Sequence, residues 1–179
     1  MLIPSGGKKF ERAKAGIYLG TIIDVVELGE VASKNPRFPN PKVRTRIVWV
    51  LNANDADGRP LRYMEQPSSV MTPPGKYRAS RMYEISAGVL GGVIPVPYDD
   101  EVLLHRSNQL VLMQEGEYVN LKAILPVPPG QTPPPVPQGF VRDRDKPKDA
   151  NGQTVQSAAP SIGNTAAAPA TAADEDIPF

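Results

Sequence analysis

The sequence predicts a small, mainly β domain with one helix, followed by a long tail rich in proline and alanine. Apolar and polar residues alternate over most of the chain before Leu125, which is the pattern of strands that bury one face. A single segment of that region instead repeats its apolar residues with a helical period. Of the 21 prolines, 11 come after Leu125, and a segment so dense in proline is not expected to join a core.

The first predicted strand covers residues 17–25. Alternation places five of its residues on one face: Ile17, Leu19, Thr21, Ile23 and Val25. The other face carries Tyr18, Gly20, Ile22 and Asp24. A glycine inside a strand is typical of a bend or bulge, so Gly20 predicts the strong curvature that a small barrel needs.

The second predicted strand, residues 42–52, follows a loop at 33–41 that is rich in Asn, Pro and Lys. One face of this strand carries Val43, Thr45, Ile47, Trp49 and Leu51. The other face begins with Lys42, Arg44 and Arg46. A turn at residues 55–58 then leads to a third strand at 61–66.

A helix is predicted over residues 78–90, where two consecutive glycines supply the stop signal. Its apolar residues recur with helical spacing at Met82, Ile85 and Val89. Two further strands, at 109–114 and 118–125, are joined by a hairpin turn. The order β-β-β-α-β-β predicts a five-stranded OB-fold barrel with one helix. An open antiparallel sheet with one helix is the alternative.

The residue inventory argues against an enzyme. The chain has no cysteine and one histidine, His105, so it lacks thiolate nucleophiles, Cys-ligated metal sites and a good basis for a Ser-His relay. Three acidic residues are consecutive in a predicted loop: Asp99, Asp100 and Glu101. They are not expected to converge on one metal ion. We therefore expect no catalytic site, no metal and no cofactor.

Neither a membrane segment nor a leader is expected. No apolar run approaches the roughly 18 residues of a transmembrane helix. The first nine residues lack the apolar stretch of a signal peptide. These features predict a cytoplasmic protein.

Charge is distributed unevenly along a chain whose formal net charge is +1. The first 81 residues hold 14 basic and 7 acidic residues, whereas the remainder is acidic, and this asymmetry favours a polyanionic partner. The basic residues on the second and third strands and their loops are Lys34, Arg37, Lys42, Arg44, Arg46, Arg59 and Arg62. Since unpaired charges are costly to bury, this face is open to solvent or to a polyanion. In an OB barrel the same face binds oligonucleotides. A solvated face with local ion pairs is the alternative.

Binding of single strands also needs aromatic rings on which bases stack. The candidates near the basic residues are Phe38, Trp49, Tyr63 and Tyr77. Phe38 is the strongest candidate, because it follows Arg37 in a polar loop. Trp49 and Tyr63 have the parity of inward-facing residues, so each is a candidate either for stacking or for the core.

The chain is predicted to divide into a domain, a linker and a terminal peptide. We expect a DNA-binding domain at residues 1–125 and a disordered Pro/Ala-rich linker at 126–173, which cannot bury enough apolar surface to offset its ordering entropy. The terminal peptide consists of Asp174, Glu175, Asp176, Ile177, Pro178 and Phe179. Carboxylates beside aliphatic and aromatic anchors predict a recognition peptide for an apolar pocket rimmed by Arg or Lys.

The ending DEDIPF resembles the acidic tip of bacterial single-stranded DNA-binding proteins, which recruit replication, recombination and repair enzymes through it. The body lacks the opening motifs of those proteins, and it has one tryptophan where they usually have several. It is more similar to bacteriophage OB-fold single-stranded DNA-binding proteins, which also have an early Gly-Ile-Tyr strand, a cationic second strand, a single helix and a final hairpin. The resemblance implies a protein of the bacterial or phage-infected cytoplasm that coats and protects single-stranded DNA.

The sequence thus predicts sequence-nonspecific binding of single-stranded DNA, with partner enzymes recruited by the tip. An adaptor is the alternative, in which the OB domain binds protein and the tip docks onto host replication or repair enzymes. A nuclease is a third reading. We also expect a homodimer, since OB domains of this length often pair through sheet edges.

Overall fold

A computed structural model of the chain describes residues 11–32 and 40–146. Within these ranges the predicted succession of three strands, one helix and two strands is confirmed. The elements are β1 (Gly16–Val31), β2 (Lys42–Asn54), β3 (Pro60–Glu65), α1 (Arg81–Leu90), β4 (Ser107–Glu115) and β5 (Tyr118–Leu125). Short 3-10 helices lie at Asp100–Leu103 and Asp143–Asp145.

The five strands form one antiparallel sheet in the order β3-β2-β1-β4-β5. β1 is central, because its first part pairs with β4 while a longer part, from Gly20 onward, pairs with β2. β3 and β5 are the edges. No strand pairing joins these edges within the described ranges, so the sheet does not close there into the predicted barrel.

α1 begins and ends at well-defined caps. The Ser80 side chain accepts a hydrogen bond from Tyr83 N (3.3 Å), and Gly91 ends the helix with a φ of 73°, a value that favours glycine. The predicted apolar face is buried in the main core: Met82, Ile85 and Val89. No helix in the described ranges is long and apolar enough to cross a membrane.

The first turn of α1 connects the two edges of the sheet. Arg81 donates one hydrogen bond to the Glu65 carboxylate on β3 (3.1 Å) and another to the Leu121 carbonyl on β5 (2.6 Å). Further along, Gly88 lies so close to β5 that an added Cβ would be 2.9 Å from the Cβ of Ile124. The helix therefore packs directly against one edge and is tied to the other by a side chain.

β1 changes its buried side at a bulge between Ile22 and Asp24. Ile22 and Val25 both belong to the main core, whereas Ile23 belongs to a second apolar cluster. The prediction that Val25 shares a face with Ile23 was wrong, because a bulge inserts one residue and reverses the alternation beyond it.

Gly20 allows the side chains of β2 and β4 to pack closely against the backbone of β1. A Cβ at this position would lie 2.9 Å from Leu110 Cδ1 and 3.3 Å from Leu51 Cδ2. The predicted irregularity of β1 is present, but it lies after this glycine, at the Ile22–Asp24 bulge.

Residues 126–146, the start of the predicted linker, pack against the sheet and are called the strap below. Val136 and Phe140 of the strap contact the second apolar cluster, and the compact unit extends to Lys146. The predicted domain boundary at Leu125 is corrected accordingly. Proline disfavours helices and strand ladders, but the strap packs mainly through its side chains and needs neither. Residues 147–179 lie outside the described ranges.

Candidate nucleic-acid interface

The outer face of β2 is divided into a basic half and an apolar half. Ile47, Trp49 and Leu51 belong to the core, so the residues that alternate with them lie on the opposite, outer face, as predicted. The basic half consists of Lys42, Arg44 and Arg46. The apolar half consists of Val48 and Val50, together with Ile23 of β1.

The strap covers the apolar half. Val136 and Phe140 pack on it, and Thr21 Oγ1 donates a hydrogen bond to the Pro134 carbonyl (2.7 Å). The Arg62 guanidinium carbon lies 5.4 Å from the centroid of the Phe140 ring, within the range of a cation–π contact. This coverage explains why consecutive residues of β1 and β2 are buried on both faces of the sheet.

The end of the strap is held by an ionic lock, defined here as Asp24, Glu101 and Arg142. Asp24 is 2% exposed and accepts from Arg142 Nε (3.3 Å) and from the backbone N of Asp143 (3.0 Å). Arg142 also donates two hydrogen bonds to the Glu101 carboxylate (2.9 and 2.7 Å). The hydrogen bonds from Arg142 hold the pKa of Glu101 below its usual range, and the same bonds raise the pKa of Arg142.

The arginines of the basic half are held in fixed positions. Arg44 Nη1 donates to the Gln66 carbonyl (2.7 Å), where the chain after β3 runs alongside β2. Arg46 Nη2 donates to Asp143 Oδ2, and Asp143 Oδ1 accepts from Lys146 Nζ. One end of the basic half is therefore in contact with the strap.

The remaining predicted cations are spread along the β2–β3 hairpin. Lys42 is exposed at the start of β2, whereas Arg59 follows the turn at its far end and pairs with Asp57 (3.5 Å). β2 has 13 residues, which corresponds to about 40 Å. Arg62 lies between these extremes, opposite Val50. The structure thus groups Lys42, Arg44 and Arg46 but separates Arg59 from them.

Two of the proposed stacking residues lie in the core. Trp49 is 0% exposed and Tyr63 is 9% exposed, with ring centroids 6.1 Å apart. Tyr63 donates to Glu65 Oε1 (2.8 Å), and burial together with this carboxylate raises the pKa of the phenol. Neither ring is available to a base in this structure, so both are corrected to core residues. Tyr77, by contrast, is exposed in the β3–α1 loop beside Lys76.

Several predicted site residues lie outside the described ranges. Between β1 and β2 in the sequence these are Lys34, Arg37 and Phe38. In the terminal peptide they are Asp174, Glu175, Asp176, Ile177, Pro178 and Phe179. Their assignments stay predictions.

The strap contributes residues that the sequence reasoning missed. They are Phe140, Arg142, Asp143, Arg144 and Lys146. Two signals could have identified them: the only aromatic residue of the predicted linker and the charged run RDRDK that begins two residues after it. A solvated linker needs neither an aromatic anchor nor a cluster of alternating charges.

The chemistry available on this face is anion recognition by guanidinium and ammonium groups on a rigid strand. Among the residues that the structure describes, no group of three or more His, Asp or Glu side chains is placed to hold a metal ion.

No protein-family model, no curated protein and no solved structure matches this chain.

Proposed function

We propose that this chain is a sequence-nonspecific single-stranded DNA-binding protein, and that the DNA backbone runs along the basic half of β2. In this proposal the domain is an OB fold that coats and protects single strands during phage replication, recombination or repair. The terminal peptide 174–179 recruits partner enzymes in the cytoplasm. The chain binds DNA, and no chemical step is assigned to it.

The order of the strands supports the OB assignment. An OB fold is a partly open, five-stranded barrel in which oligonucleotides bind on the face of strands 2 and 3. Here β1 is shared by the two halves of the sheet, and α1 comes between β3 and β4. The edge strands β3 and β5 do not pair within the described ranges, but Arg81 donates hydrogen bonds to Glu65 on β3 and to Leu121 on β5. The Arg81 side chain thus links the two edge strands.

The row of cations on β2 is the observation that carries the proposal. Alternate residues of a strand are about 6.7 Å apart, so Lys42, Arg44 and Arg46 extend over about 13 Å. A row of this length suits a chain of phosphates better than a single anion. Arg44 supports this assignment, because a guanidinium has five N–H donors and the Gln66 carbonyl orients the group through one of them.

The coverage of the apolar half favours the adaptor as the second candidate function. Val136 and Phe140 occupy the part of the β2–β3 face on which bases would otherwise lie. If this surface never contacts DNA, the domain can serve as a protein-binding module and the terminal peptide as its connection to host enzymes. Phosphate contacts along the basic half require no access to the covered half, and for that reason we prefer DNA binding.

Fluorescence anisotropy with a labelled oligo-dT, measured over a range of salt concentrations, tests the proposal. The double variant K42Q/R44Q should bind more weakly, and the slope of log affinity against log salt should flatten by about 0.7 for each lost phosphate contact. Arg106→Gln is the control for the effect of each removed charge, because Arg106 is an exposed cation next to β4 whose Nε donates to the Val102 carbonyl (3.3 Å). Equal effects per removed charge would place the site elsewhere. Absence of binding at low salt would refute DNA binding and favour the adaptor.

A further inference from the structure

Asp143 presents its carboxylate to two cations at the edge of the basic half. Its Oδ2 accepts from Arg46 Nη2, and its Oδ1 accepts from Lys146 Nζ. A phosphodiester also offers two non-bridging oxygens, and it carries the same charge as a carboxylate. The two cations can therefore donate to the two non-bridging oxygens of a single phosphate, as they now donate to the two carboxylate oxygens of Asp143.

The backbone positions of the residues that carry these cations do not depend on the Asp143 carboxylate. The backbone N of Asp143 donates to Asp24, and the neighbouring Arg142 is held by Asp24 and Glu101. Arg46 belongs to β2, whose pairing with β1 and β3 fixes its backbone. Exchange of the carboxylate for another anion thus requires rotation of one side chain and leaves the strap in place.

The contact lies where an anion from solution can reach it. The side chains of Arg46, Asp143 and Lys146 are 23%, 32% and 38% exposed. Ion pairs near the surface contribute little net stability, so a polyanion that arrives with several phosphates can replace one of them. In addition, the buried Nε of Arg46 has no hydrogen-bond partner among the residues that the structure describes.

We infer that Arg46 and Lys146 form a phosphate subsite of the single-strand interface, and that Asp143 occupies this subsite when DNA is absent. The inference rests on the proposed function and extends it in two ways. It adds Lys146 of the strap to the DNA contacts. It also makes the strap an internal competitor, because each binding event must displace the Asp143 carboxylate from Arg46.

Substitution of the competitor is the direct test. Asp143→Asn keeps the size of the side chain but removes its charge, so oligo-dT should bind about two- to fivefold more tightly at low salt. The salt slope should steepen, because the gain from removing the competitor fades as salt screens the contact between Asp143 and Arg46. Asp145→Asn is the matched control: it changes the net charge equally, two residues away, and Asp145 contacts Arg144 (3.6 Å), not Arg46. This control should change the affinity less and leave the slope unchanged.

Two further variants test the subsite itself. Lys146→Gln leaves the contact between Arg46 and Asp143 intact, so it tests the subsite even if Asp143→Asn lowers the stability of the fold. This variant should bind oligo-dT more weakly, and its salt slope should flatten by about 0.7 because one phosphate contact is lost. In an R46Q/K146Q background, Asp143→Asn should tighten binding no more than Asp145→Asn does, because both cations on which Asp143 competes are then absent.

The outcomes separate this inference from the proposed function. If the unmodified protein binds oligo-dT but Asp143→Asn tightens binding no more than Asp145→Asn, the effect is one of overall charge and the inference is overturned alone. An unchanged salt slope for Lys146→Gln also overturns it. If the unmodified protein does not bind oligo-dT at low salt, the proposed function and the inference are both overturned.

Discussion

Replacement of Arg142 by alanine should be among the most destabilising single changes outside the apolar core of this protein. The side chains of Arg142 and Asp24 are 14% and 3% exposed, so the variant leaves a buried carboxylate without its charged partner. Removal of one member of a buried ion pair costs about 3–5 kcal/mol. The lost contacts to Glu101, whose side chain is 36% exposed, add little to this figure because solvent screens them. A folded domain has only about 5–15 kcal/mol of stability, so the effect should be large.

Urea denaturation followed by circular dichroism measures this loss, and the chain offers a matched control. Arg144 also pairs with Glu101 (2.6 Å), but its side chain is 52% exposed. Arg144→Ala should therefore lower the free energy of unfolding by about 0–1 kcal/mol. If Arg142→Ala cost no more than Arg144→Ala, the strap would not be locked to β1 as described, and the extension of the folded unit to Lys146 would be refuted.

Three other predictions follow from the covered face, the core and the lock. A chain that ends after Leu125 should be less stable by several kcal/mol than one that ends after Lys146, because Ile23, Val48 and Val50 would lose the strap that covers them. Full burial of each such side chain contributes about 1.5–3 kcal/mol. Equal melting temperatures of the two chains would contradict this prediction. Saturating oligo-dT should leave the fluorescence of Trp49 nearly unchanged, since the ring is 0% exposed, and strong quenching would place the ring at the site. The pKa of Glu101 is lowered in the folded state, so its contact with Arg142 should stabilise the protein above the unfolded pKa of about 4.3 and be lost as the pH falls through the folded value. Urea denaturation at decreasing pH checks this last prediction: the small stability difference between the unmodified protein and Glu101→Gln at pH 7 should disappear as the pH falls through the folded pKa, and a difference that stays undiminished would contradict it.

The strands and the helix could be predicted because their signals are local. Alternation in β2 correctly separated Ile47 and Trp49 from the outer face, and Ser80 with Gly91 delimits the helix close to the predicted bounds. The position of the bulge after Ile22 could not be predicted, because a one-residue insertion leaves no compositional signal in a strand that is apolar on both sides. Barrel closure depends on how β3 and β5 meet, which is a property of the whole sheet and not of either strand.

The strap was missed because composition was used as a measure of order. Residues 126–146 are rich in proline, yet Phe140 and Val136 supply apolar surface and Arg142 supplies the lock. An isolated segment of low apolar content does not order by itself. A segment beside a sheet with an uncovered apolar half orders by covering that half. The same error led to a basic face that was expected to be open along its whole length.

The central claim, that single-stranded DNA runs along the basic half, is tested most directly by amide chemical-shift mapping of the ¹⁵N-labelled full chain with oligo-dT. The largest shifts should fall on Lys42, Arg44 and Arg46 and on Ser68, which bridges to Arg44, with a second group at Asp143. The β5 strand, which lies at the far edge of the sheet, should change little. Shifts concentrated on β5, or no shifts at low salt, would contradict the account.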